Sequence, residues 1–172
     1  MAVVGAIALL GVLLTPMQRI SLDRQTVLTS SEALSTTTAV GQELMEEILV
    51  RKFDASVTLT PADSALRLSN FALPASLGPE SGTTDTAGRI TTYNDVDDFN
   101  GYADSVATPR IGSVRDTVKI SYVDTLSPYG IVNYRTWFKR IDVKVWNKYL
   151  PTQAASPTSI TISKIICYRY KK

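Results

Sequence analysis

The chain opens on fourteen residues, MAVVGAIALLGVLL, with no charged side chain among them, and the first charge is Arg19. This run limits what the remainder can be. A helix on the surface of a soluble domain needs a polar face, and this one has none. As a helix it covers about 21 Å, less than the roughly 30 Å hydrocarbon core of a bilayer. A secretory signal would carry a basic segment ahead of the apolar run and an A-x-A-like site after it, and neither is evident. The run is therefore expected to lie in a membrane or to be buried on all sides in an assembly.

No turn signal separates this run from the residues after it. Between Ser21 and Lys52 there is one glycine, Gly41, and no proline. Leu34, Val40, Leu44 and Ile48 recur near helical spacing, with Thr37, Gly41 and Met45 filling the same side. Glu43, Glu46, Glu47 and Arg51 take the other face. One helix of about fifty residues, some 75 Å long, is expected, kinked or locally melted at Pro16. Residues 1–25 read as its apolar segment, a membrane anchor or filament core, and residues 26–54 as its amphipathic continuation.

From 55 to 116 periodicity mostly fails, and glycine and proline concentrate there. The region is expected to connect rather than to form regular elements, apart from a short strand at SVTLT, 56–60. Long irregular stretches of this kind are commonly interaction surfaces. Alternation returns at Thr117. TVKISYVD sets Val118, Ile120 and Tyr122 against Lys119, Ser121 and Val123, and Ile141, Val143 and Val145 alternate in the next segment. SITISKIICYRY places Ile160, Ile162, Ile166 and Tyr168 on one side. The expectation is an α+β chain whose residues 117–172 form an antiparallel sheet of three to four strands, one face on the helix.

The usual catalytic vocabulary is thin. The chain has no histidine, which removes the commonest general base and every Ser-His or Cys-His nucleophile. A single cysteine, Cys167, excludes an intrachain disulfide and a multi-cysteine zinc site, and its apolar surroundings suggest a small core residue. The chain reads as a non-enzyme.

One cluster invites chemistry, NDVDDFNGY at 94–102. An EF-hand loop needs glycine sixth and a carboxylate twelfth. Setting Gly101 sixth puts Val96 first and Ala107 twelfth, so both ends fail. Asp97 and Asp98 are adjacent rather than spaced as a two-carboxylate hydrolase. Three readings stand: a loop held in shape by Asp and Asn side chains, a weak calcium site on Asp95, Asp97 and Asp98, and catalysis, with the first preferred. No other cofactor is indicated.

The order of apolar helix, GQELMEEILVRKFD (41–54), LGPESG (77–82), NDVDDFNGY, KRIDVKVW (139–146) and ITISKIICYRY (160–170) resembles type IV pilin-like proteins. The likeness is to prepilin-type minor pilins of the mannose-sensitive haemagglutinin kind. It implies a long kinked N-terminal helix that anchors the precursor in the inner membrane and later packs in the core of an extracellular filament. It also implies a globular sheet facing outward and an aspartate loop in the connection between helix and sheet. The partners implied are copies of the chain or homologous pilins, a prepilin peptidase, and pilus or secretion machinery. Assembly would fall to Met1, Val3, Val4, Ile7, Leu9, Leu10, Val12, Leu13, Leu14 and Pro16. The family's basic leader and first-turn glutamate do not occur ahead of this helix, so either the chain's true start lies further upstream or export and docking differ. A type II secretion pseudopilin, and a single-helix membrane-anchored extracytoplasmic binding module that does not polymerise, are the alternatives.

Charge is unevenly spread. Residues 135–172 carry nine bases and one acid, and residues 80–104 carry six acids and one base, Arg89. An acidic loop meeting a basic sheet, with Lys144 and Lys148 among its bases, is expected to set contacts between subunits. Trp137, Trp146 and Tyr149 lie among the bases, but no nucleic-acid motif accompanies them, and nucleic acid is not the expected partner.

Overall fold

Among the side chains described, Ala33, Thr37, Gly41, Leu44, Met45 and Ile48 are the buried residues of one helix, α1 (Ala2–Leu49), recurring every three to four residues on one face. The computed structural model describes residues 2–55, 68–80, 88–124, 126–127, 130–151 and 158–168, with the side chains of α1 described from Arg24 onward. The helix continues through Pro16 instead of melting there. Val40 and Leu49 pack at the edge of the buried stripe, whereas Leu34, expected inside, is 49% exposed. Ala33 is buried in its place, one helical turn before Thr37, and the helix runs close to the sheet at Gly41. A Cβ on Gly41 would meet Ile162 Cδ1 at 2.9 Å and Val145 Cγ1 at 3.1 Å.

Four strands complete the fold: β1 (Ala103–Thr108), β2 (Gly112–Tyr122), β3 (Phe138–Trp146) and β4 (Ser159–Cys167). They form one antiparallel sheet in chain order, β1-β2-β3-β4. The fold is α+β, an α-helix on one face of a four-stranded antiparallel sheet. Val118, Ile120, Ile141, Val143 and Val145 bury against the helix, and Ile160, Ile162 and Ile166 pack at the margin of that core. Near Val123 the sheet is covered on its other face as well. Ser121 and Val123 are buried there, and Thr136 donates its hydroxyl proton to the Val123 carbonyl at 2.8 Å.

Two sequence expectations need correction. β1 and the first residues of β2 fall within the stretch expected to be irregular, joined by a tight turn that Gly112 closes at φ 72°. β1 is an edge strand with almost every residue exposed, so it lacks the apolar alternation that marks a strand in sequence. Cys167 is exposed rather than in the core. It lies on β4, the other edge, on the opposite side from Ile166. The short strand expected at 56–60 lies outside the described residues. Among the described residues, no helix is long and apolar enough to cross a membrane.

Candidate functional site

β3 alternates with period two, so the parity that sends Ile141, Val143 and Val145 inward also sends Lys139 inward. Its side chain is 0% exposed. Burying an ammonium is tolerable only when it is paired and hydrogen-bonded, and the partners come from two distant segments. Lys139 Nζ donates to Asp97 Oδ1 at 2.8 Å, to the Phe53 carbonyl at 2.8 Å and to Asp54 Oδ2 at 3.3 Å. The Phe53 ring lies 4.5 Å from the ammonium and the Tyr122 ring 5.5 Å.

The NDVDDFNGY loop is built around this lysine. It enters against the end of α1 through a parallel bridge between Lys52 and Asp95, with the Val96 N–H donating to the Lys52 carbonyl at 2.9 Å. Asp98 accepts the N–H groups of Asn94 and Asp95 at 2.8 and 3.2 Å, and the Asp98 N–H returns to Asp95 Oδ1 at 3.1 Å. These reciprocal bonds wind Asp97–Phe99 into a 3-10 turn. Asp95 Oδ2 accepts the Ala55 N–H, and Asp54 Oδ2 accepts the Ala72 N–H at 2.9 Å. Asn100 then ties two further segments together: its amide donates to the Leu77 carbonyl at 3.0 Å and accepts the Ile120 N–H at 3.0 Å. Gly101, at φ 82°, turns the chain into the sheet, with its N–H on the Val118 carbonyl.

The apolar residues of the loop have a separate task. Val96, Phe99, Tyr93 and Tyr102 are buried beneath α1, with the Tyr93 and Phe99 ring centroids 4.8 Å apart. On the far side of Lys139, Phe53, Phe71, Trp137 and Tyr168 stack around one another at 5.2–5.9 Å. Beside this aromatic group opens a shallow cleft of about 670 Å³, bordered by Asp54, Asn70, Phe71, Glu80 and Arg135.

Electrostatically the cluster is unbalanced. Asp54, Asp95, Asp97 and Asp98 are all buried, against the single buried cation Lys139 among the described residues. Burial, reinforced by the neighbouring charges of Asp97 and Asp98, pushes the Asp95 carboxyl up to about 8, while the Ala55 N–H pulls the other way. A carboxyl in that state holds a proton near neutrality, shared in a hydrogen bond with Asp97.

The residues expected to ligate calcium, Asp95, Asp97 and Asp98, thus occupy one loop but do not act alike. Asp98 is turned to backbone N–H groups. The carboxylates whose oxygens converge are Asp95, Asp97 and Glu80, from LGPESG. Neither Glu80 nor Lys139 was legible as part of this site: Glu80 lies fifteen residues from Asp95, and Lys139 reads as one base among many. Asp95, Asp97 and Asp98 are buried and engaged within the chain rather than presented to a neighbouring subunit, Lys139 with them, and Arg140 is paired with Asp142, whereas Lys144 and Lys148 are exposed. The assembly residues Met1, Val3, Val4, Ile7, Leu9, Leu10, Val12, Leu13, Leu14 and Pro16 lie outside the described side chains. The chain matches no family model, no curated protein and no solved structure.

Proposed function

We propose that the chain is a structural subunit of a type IV pilus-like extracellular filament, held at the inner membrane as a precursor and polymerising through the apolar end of a long, kinked helix. The carrying observation is how little of α1 the sheet holds. The first buried helix residue among those described is Ala33, and every residue from Arg24 to Leu28 is exposed, Val27 at 65% and Leu28 at 69% among them. From Leu14, the last residue of the apolar run, to Ala33 is about 28 Å along the helix. Among the described residues nothing covers Val27 and Leu28, and copies of the same helix would. The buried Lys139–carboxylate cluster suits this role as a rivet, fastening the helix end to the sheet so that load on the helix is passed to the domain.

Electron microscopy of the full chain, beside a variant lacking residues 1–25, tests the reading. Filaments from the full chain, and a monomer with an unchanged β signature in circular dichroism from the truncated one, are expected. Filaments of the same form from the truncated variant would sink it. A full chain that inserts in bilayers yet never polymerises would favour the anchored binding module instead.

A further inference from the structure

The strands sort their charges by side of the sheet. Asp104, Asp116, Lys139 and Lys164 share the parity of the helix side, and Arg115, Lys119, Arg140, Asp142 and Lys144 share that of the opposite side. Register then puts the cations of the opposite side in order. Trp146 pairs with Arg115, Lys144 with Thr117, Asp142 with Lys119 and Arg140 with Ser121. Arg115, Lys144, Lys119 and Arg140 therefore alternate between β2 and β3, one at every second residue along the sheet. Two residues of strand advance about 7 Å, close to the step between successive phosphates of an extended nucleic-acid strand. No motif marks this ladder in the sequence, because its rungs come alternately from two segments that run in opposite directions.

The ladder is open. Arg115, Lys119 and Lys144 are exposed, and none of them makes an ion pair among the described residues. Asp142, the single acid on this side of the strands, is held by Arg140 at 2.9 Å and by the Ser163 hydroxyl at 2.7 Å. Lys119, directly across from it, thus keeps its charge for a partner. The surface is also dished, with a hollow of about 490 Å³ over Lys119 and Lys144 and the hydroxyls of Thr117 and Thr161. At one end stands the half-exposed Trp146, its ring 5.5 Å from the Arg115 guanidinium.

We propose that this face binds single-stranded nucleic acid, with phosphates on the cation ladder and a base against Trp146. A row of cations along the backbone with an aromatic surface beside it is the arrangement that holds single strands without regard to sequence. The phosphates of a duplex curve away from so straight a row, so fewer of them would reach it. The charges of a polyuronate are set closer together than the rungs.

The test is fluorescence anisotropy of a labelled oligothymidylate titrated with the full chain in a nonionic detergent, so that the outcome does not depend on polymerisation. Binding should weaken with salt at a log–log slope of about −2 to −3, from three or four phosphates at about 0.7 each. Lys119→Gln with Lys144→Gln should weaken binding about tenfold and reduce the slope by about 1.4. Trp146→Leu should weaken it about fivefold and leave the slope unchanged. Lys148→Gln removes the same charge from an exposed position that borders α1 instead of this face, and should change neither. Absence of binding at about 50 mM salt would overturn the proposal. Equal weakening by Lys148→Gln would overturn it too, since the attraction would then be diffuse charge. Tighter binding of a duplex, or of a polyuronate at equal charge concentration, would overturn the choice of ligand.

Discussion

Replacing Lys139 with methionine asks the most of the fold. The substitution keeps a long unbranched stem in a site that is 0% exposed and removes only the ammonium. The groups left without it set the cost. Asp97 Oδ1 loses a 2.8 Å charged partner, Asp54 loses one at 3.3 Å, and the Phe53 carbonyl loses a donor at 2.8 Å. Deleting one member of a buried ion pair typically costs about 3–5 kcal/mol, because the remaining charge stays desolvated. For a chain of this size that is a fall of about 10 °C in melting temperature, and a large part of the roughly 5–15 kcal/mol that holds a domain together. Urea denaturation, followed by circular dichroism, measures it. Adding Asp97→Asn to Lys139→Met should recover a substantial part of the loss, since the second change removes the orphaned charge rather than a further contact. A Lys139→Met variant within about 1 kcal/mol of wild type would refute the idea that the ammonium balances the carboxylates.

Four further perturbations probe the loop and the seat of the helix. Stability should fall as pH rises from about 4 to about 8, by at most about 1.4 kcal/mol per pH unit. The folded chain keeps a proton on Asp95 that the unfolded chain releases near the ordinary value of 3.8, so this contribution is complete below the unfolded value and lost as pH passes about 8. Urea midpoints across that range check the slope, which Asp95→Asn should flatten. Gly41→Leu should cost about 2 kcal/mol by overpacking against Ile162 and Val145; in Gly41→Ala the helix gains about 1 kcal/mol of propensity that offsets much of the crowding. Asn100→Ala leaves the Leu77 carbonyl and the Ile120 N–H without their partner and should cost about 1–3 kcal/mol, read from denaturant midpoints. Ile48→Ala, at a fully buried position of α1, should cost about 2–5 kcal/mol, and a smaller loss would mean the helix is not seated on the sheet as described.

Periodicity alone reaches far into this chain. The absence of helix breakers from Ser21 to Lys52, and the alternation of Val118-Ile120-Tyr122 and Ile141-Val143-Val145, reflect side-chain geometry that every helix and strand must obey, so helix, strands and fold class are local properties. The choice of Ala33 over Leu34 is already different in kind. Both lie near the stripe, and only the way the helix sits on the sheet buries Ala33 and leaves Leu34 49% exposed. β1 escapes for the converse reason: an edge strand exposed on both faces is stabilised by the backbone of β2 rather than by its own side chains. The carboxylate cluster is the extreme case. Parity places Lys139 on the core face of β3, but whether a lysine can stay there depends on carboxylates 42 and 85 residues away in the chain. Glu80 comes to Asp95 and Asp97 across a stretch with no periodicity at all. Charge pairing in a dry interior is decided by distances of a few ångströms between segments remote in sequence, and those distances exist only once the chain has folded.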